Sequence, residues 1–124
     1  IILIVEDEEP LQNAIKMKLE QKGFSTVCAR SADQALGYLN DMKVDAVWLD
    51  HYLLGRKNGL DIVTKMKSDG KEWKGIPIFV VSNTASEEKV QSYLKLGIEK
   101  YFTKAENSLE NIINDISKTI DSKK

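Results

Sequence analysis

Short apolar runs alternate with segments of 3.6-residue periodicity along the whole chain, and this alternation limits the fold more than any other feature. The runs are Ile1–Val5, Phe24–Ala29, Val44–Leu49, Ile76–Val81 and Ile98–Thr103. Between them lie helical patterns. The first carries Leu11, Ala14, Ile15 and Leu19 on one face, with Pro10 suited to its first turn and Gly23 as its stop. In the second, Ser31 and Gln34 form a capping box ahead of Ala35, Leu36 and Leu39. A loop with Gly55, Asn58 and Gly59 leads into a third helix with Leu60, Val63 and Met66. Thr84 and Glu87 are placed to cap a fourth, whose buried face holds Val90, Tyr93 and Leu94. The fifth, with Leu109, Ile112, Ile113, Ile116 and Ile120, is the most regular of all. Strands alternating with helices over short connections predict an α/β fold, a doubly wound parallel sheet with right-handed crossovers and helices on both faces.

The 124 residues suit one domain over 1–124, with no internal repeat, linker or low-complexity stretch, and the polar segment Ser68–Gly75 reads as a solvated surface connection. A lone Cys28 forms no internal bridge, and no leader precedes the first run, so a reducing cytoplasmic setting is expected. The longest uninterrupted apolar run is far short of the ~20 residues of a membrane span. A net charge of −1 with no basic block argues against direct nucleic-acid or membrane binding. The chain opens at Ile1 inside an apolar run without Met, so upstream residues are expected; the closing DSKK reads as a domain end or the start of a linker.

In an open α/β sheet, ligands bind beyond the carboxyl ends of the strands. The first run ends in Glu6, Asp7 and Glu8, the third in Asp50, the fourth in Ser82 and Asn83, and the fifth in Thr103 and Lys104. One such residue is commonly just the start of a turn; the set is not. Neighbouring carboxylates repel by about 4 kcal/mol per pair at 4 Å and an effective dielectric of 20, so a positive partner is required. A hard divalent ion such as Mg²⁺ with oxygen ligands supplies one, and Lys104 a second that pairs with Asp50 at rest. With phosphoryl oxygens neutralised in this way, Asp50 becomes a candidate nucleophile in phosphoryl transfer.

ILIVEDE at residues 2–8, Asp50 closing VDAVWLD, Ser82 after IFVV, and Lys104 in KYFTK resemble the receiver domain of bacterial two-component response regulators, over essentially the whole chain. The resemblance implies a flavodoxin-like (βα)5 sandwich with strand order 2-1-3-4-5. It further implies that Asp50 accepts a phosphoryl group from the phosphohistidine of a sensor histidine kinase or phosphotransfer protein. Asp7 and Asp50 would hold Mg²⁺, or Mn²⁺ in its place, with Glu6 direct or through water and the backbone carbonyl of Tyr52 completing the set. Ser82 and Lys104 would bind the phosphoryl group, and Tyr101 would be the aromatic switch. The surface of helix four, strand five and helix five would change with phosphorylation and meet a second receiver or an effector domain. Such a chain is no conventional enzyme: it catalyses only its own phosphorylation and dephosphorylation.

The chain also departs from the family pattern. Leu54 stands where proline is frequent, Gly59 comes one residue late, and Asn83 replaces a small residue. Ala105 follows Lys104 where the family usually has a cis proline, so either a trans peptide with an adjusted loop or a strained cis bond is expected. Tyr52 and Thr84, at the positions flanking the hydrolytic water, carry no strong base, which predicts slow to moderate self-dephosphorylation. Glu8 and Glu9 read as helix-start acids. His51, without a His or Cys at ligand spacing, reads as a loop side chain, Cys28 as a small core or half-buried strand residue, and Trp48 as core. Trp73 either folds back or forms a contact surface. Two other functions compete: a receiver-like interaction domain that is not phosphorylated, and a haloacid-dehalogenase-type phosphohydrolase, which wants an acid where Tyr52 stands.

Overall fold

The computed structural model describes residues 1–69, 72–83 and 86–122. Five strands alternate with five helices: β1 (Ile2–Val5), α1 (Glu9–Gln21), β2 (Thr26–Ala29), α2 (Ala32–Asp41), β3 (Ala46–Leu49), α3 (Gly59–Asp69), β4 (Ile78–Ser82), α4 (Glu87–Lys95), β5 (Lys100–Thr103) and α5 (Leu109–Ser122). The sheet is parallel throughout and its order is β2-β1-β3-β4-β5. Val5 lies opposite both Ala29 and Leu49, Leu49 opposite Val80, and Ser82 opposite Thr103. The carboxyl ends of β1, β3, β4 and β5 therefore finish side by side.

Strand side chains alternate between faces, and this divides the core in two. Leu3, Val5, Val47, Leu49, Ile78 and Val80 pack against Ala35 and Leu39 of α2, Ile62, Val63 and Met66 of α3, and Tyr93 of α4. Ile2, Ile4, Trp48, Phe79, Val81 and Phe102 face Ile15 and Leu19 of α1 and Ile112, Ile113 and Ile116 of α5. Both faces of β1, β3 and β4 are covered, which is why their sequences are nearly unbroken apolar runs.

Local chemistry sets most helix ends. Pro10 sits in the first turn of α1, and Gly23 follows the last turn at φ +97°, a conformation that L side chains rarely adopt. Ser31 caps α2 by accepting from the Gln34 N–H at 3.2 Å, while Gln34 Oε1 accepts from the Arg30 N–H at 2.8 Å. Glu8 and Glu9 occupy the N-cap and first turn of α1, as expected. Trp48 is fully buried and Cys28 is half-buried against the second cluster. Trp73 folds back: it packs on the first cluster and its Nε1–H donates to the Leu39 carbonyl at 3.3 Å.

Several expectations need correction. β2, β3, β4 and β5 begin two residues later than the apolar runs, because Val44 and Ile98 are buried without joining the ladder and Pro77 has no N–H to give it. The start of α4 differs from the one the Thr84–Glu87 capping box predicts. Helix α4 starts at Glu87 with Ser86 as N-cap, which puts Glu87 two positions too early for the reciprocal bond; Thr84 itself lies outside the described residues. Leu94 is exposed, so the buried side of α4 is narrower than its apolar pattern suggests.

Candidate functional site

The strand register assembles the site. Glu6 and Asp7 follow β1, Asp50 follows β3, Ser82 ends β4 and Lys104 follows β5. The Asp50 N–H donates to the Val5 carbonyl at 2.9 Å, and the Lys104 N–H to the Ser82 carbonyl at 2.9 Å, so ladder bonds carried just past the strands fix both residues. Gln12 of α1 closes the floor, its Nε2 donating to the Glu6 carbonyl at 3.0 Å and the Ala29 carbonyl at 3.1 Å. Arg30 donates through Nε and Nη2 to the Asp7 carbonyl.

Carboxylate oxygens of Glu6, Asp7 and Asp50 lie within 4.8 Å of one another. Lys104 Nζ donates to Glu6 Oε1 at 2.8 Å and to Asp50 Oδ2 at 3.4 Å. The resting partner of Lys104 is thus chiefly Glu6, where the sequence led us to expect Asp50. Glu6 also accepts from the Glu8 N–H at 3.2 Å. Asp50 is only 5% exposed, and its Oδ1 is buried with no hydrogen-bond partner among the described residues. A buried carboxylate oxygen left in this state is costly, and an all-oxygen set of three carboxylates suits a hard divalent cation. The residues present therefore fit such an ion.

Burial and neighbouring negative charge act against ionisation of Glu6 and Asp7. Glu6 is raised above the ordinary carboxylate range by burial first and by Asp50 second, with Lys104 opposing. Asp7 is raised by burial and then by Glu6. Burial works against the Lys104 ammonium, but its bond to Glu6 and the charges of Asp50 and Glu6 outweigh this and raise it.

Ser82 is fully buried, and its Oγ meets no strict hydrogen-bonding geometry among the described residues. It lies close enough to the Tyr101 phenol for the interaction of the two hydroxyls to favour ionisation there, against the stronger effect of burial. Tyr101 is partly buried against Tyr93, ring centroids 5.8 Å apart. The Tyr52 side chain is exposed, and Lys89 Nζ donates to its hydroxyl at 3.0 Å. No peptide bond among the described residues is cis, so Lys104–Ala105 is trans; the loop turns instead through Glu106 N–H to the Thr103 carbonyl at 3.1 Å, with Asn107 Nδ2 donating to the same carbonyl.

His51 departs most from expectation. It is 5% exposed, and its Nδ1 shares a 2.7 Å hydrogen bond with the Tyr93 hydroxyl. Burial, then Lys89, lowers its basicity, while the same bond partner Tyr93 is raised well above the ordinary phenol by burial. The available signal was Tyr93 itself, since a tyrosine on the buried side of a helix needs a partner for its hydroxyl. Gln12 had no comparable signal, because its partners are backbone carbonyls.

The family model for the response regulator receiver domain matches residues 2–117. This chain belongs to that family. The receiver is 33% identical over 113 residues to an NtrX-like response regulator of Rickettsia conorii, covering 90% of this chain and 23% of that protein. It is 33% identical over 103 residues to the phosphate regulon transcriptional regulatory protein PhoB of Escherichia coli, covering 83% of this chain and 44% of that protein. The receiver thus spans less than half the length of these relatives. Among solved structures, the Brucella abortus NtrX receiver domain superposes with a TM-score of 0.85 at 26% identity, covering 98% of each chain. The Francisella response regulator 1452 receiver domain gives 0.87 at 24% identity, covering 99% of this chain and 98% of that one. The expected flavodoxin-like fold and strand order hold for this receiver. Among the described residues, no helix is long and apolar enough to cross a membrane.

Proposed function

We propose that Asp50 is the phosphoacceptor of this receiver, taking a phosphoryl group from a phosphohistidine on a sensor histidine kinase or phosphotransfer protein in the cytoplasm. The observation that carries the reading is the Asp50 carboxylate, buried beside Lys104 and two further acids with its Oδ1 unpartnered. An Asp50 carboxylate oxygen attacks phosphorus, the P–N bond breaks, and the imidazole leaves with its electron pair and takes a proton, giving an acyl phosphate. Lys104 shifts from Glu6 to a phosphoryl oxygen, and the Ser82 hydroxyl donates to another. Glu6, Asp7 and Asp50, with the Tyr52 carbonyl, are the residues that would hold Mg²⁺ or Mn²⁺. When bound, the ion supplies positive charge against the phosphoryl oxygens.

As Ser82 turns toward the phosphoryl group, Tyr101 moves inward, and the α4–β5–α5 surface changes population for a second receiver or an effector domain. The greater length of the relatives supports an output segment beyond this domain. Tyr52 and Thr84 offer no base to an attacking water, which favours a slowly hydrolysed acyl phosphate; a half-life of a few seconds would contradict this.

Incubation with Mg²⁺ and acetyl phosphate followed by intact-mass measurement tests the reading. The expected result is a gain of one acid-labile phosphoryl group, absent in Asp50→Asn. No adduct with acetyl phosphate or a phosphoramidate would leave an interaction domain only, and many turnovers of simple phosphate esters would instead indicate a hydrolase.

A further inference from the structure

The two residues that follow Asp50 are both tied to one side of α4. His51 Nδ1 bonds the Tyr93 hydroxyl at 2.7 Å, and Lys89 bonds the Tyr52 hydroxyl with its ammonium 4.8 Å from the ring centroid. Residues 89 and 93 are one helical turn apart, on the same face. The inner of these two ties is the buried one. The His51 and Tyr93 rings meet edge-on, centroids 5.7 Å apart at 86°, and Tyr93 is fully buried. Gly59 closes the remaining side: a Cβ there would come within 2.5 Å of the Tyr93 hydroxyl and 2.9 Å of the Asp50 carbonyl oxygen. The Tyr93 hydroxyl thus takes up the space that a side chain at position 59 would need.

On its other flank Tyr93 packs against Tyr101. Tyr101 cannot turn without changing its contact with this ring, and the ring is anchored to the residue next to Asp50. We infer that the His51–Tyr93 hydrogen bond restrains the receiver's switch, holding α4 against the loop after Asp50 and opposing the inward turn of Tyr101 until Asp50 is phosphorylated. The inference rests on the phosphoacceptor reading above and adds a connection to α4 separate from Ser82. Coupling of this kind is reciprocal, so weakening the bond must favour the phosphorylated conformation and make Asp50 easier to modify.

Tyr93→Phe removes the hydroxyl and keeps the ring; His51→Phe removes the bond from the other end, and the double variant leaves neither partner unsatisfied. Each is titrated with beryllofluoride in excess Mg²⁺ while the backbone amides of α4 and β5 are followed by NMR, and melting temperature is recorded separately. Without ligand, the Tyr93→Phe amides should lie part-way along the line from free to beryllofluoride-bound wild type. The half-saturating beryllofluoride concentration should fall about three- to tenfold, the range of one modest hydrogen bond. The double variant should match the single one, since both delete the same bond. A lowered melting temperature with wild-type amide positions and midpoint would mean a purely structural contact and overturn the inference, as would a weaker midpoint. If the wild type gains phosphoryl groups normally, that failure touches this inference alone. If the wild type gains none, the phosphoacceptor reading fails and takes the restraint with it.

Discussion

Asp7 and Glu6 follow each other in sequence and share a site with Asp50, yet the fold treats them differently. Glu6 is fully buried with Lys104 on one oxygen, whereas Asp7 is partly buried and has a raised carboxyl because of burial and its interaction with Glu6. A carboxyl raised in the folded state contributes stability that is complete below its unfolded value and is lost as pH climbs through the raised value. The metal-free receiver is therefore less stable at neutral pH than this pair would allow in acid. Asp7→Asn should melt a few degrees higher than wild type at pH 7 in chelator, and the gap should close as pH falls below the ordinary Asp value of 3.8. Thermal scans across that range check it, and a gap independent of pH would contradict the electrostatic cause. At this scale the sequence was most informative about identity and least about pairing. Asp50, Asp7 and Lys104 could be placed at strand ends from the runs before them, but the preference of Lys104 for Glu6 depends on where a flexible side chain comes to rest. His51 was missed because its partner lies 42 residues away, on a helix face that the periodicity marked only as apolar.

Among the elements, α3 is the one whose start is decided by space. Gly59→Ala should cost about 1–3 kcal/mol in urea unfolding, because the Asp50 carbonyl at 2.9 Å is backbone and cannot swing away. Adding Tyr93→Phe removes the closer atom only, so most of the loss should persist. Ser31→Ala should cost about 1 kcal/mol by removing the bond to the Gln34 N–H at the start of α2. Helix α5 was fully legible, since Ile112, Ile113 and Ile116 repeat on one face and are buried as a set. Strand starts were not. Apolar pattern reports burial, and Val44 and Ile98 are buried residues in the approaches to β3 and β5, outside the ladder. Helix α4 was misread at both levels, with its cap shifted to Ser86 and Leu94 facing solvent, because nine residues give periodicity little to work with.

For the molecule as a whole, a net charge of −1 conceals three acids drawn to one edge of the sheet. Mg²⁺ at ten times its dissociation constant should therefore stabilise the receiver by about 1.4 kcal/mol, a rise of roughly 4 °C in Tm. Sodium chloride at matched ionic strength should not reproduce it, and Asp7→Asn should lose most of it; differential scanning calorimetry distinguishes these outcomes. The sheet order gives the same charges a place in time. Glu6 and Lys104 are 98 residues apart, and the acids arrive on β1 and β3 while the ammonium arrives after β5, the final edge strand. As the chain leaves the ribosome, its first four strands can gather the carboxylates before anything neutralises them, at about 3–4 kcal/mol for each close pair. Docking of β5 removes that repulsion. The last strand made is thus the one that completes the charge balance, so a nascent or truncated receiver is held back from a finished site until its carboxyl-terminal quarter is present.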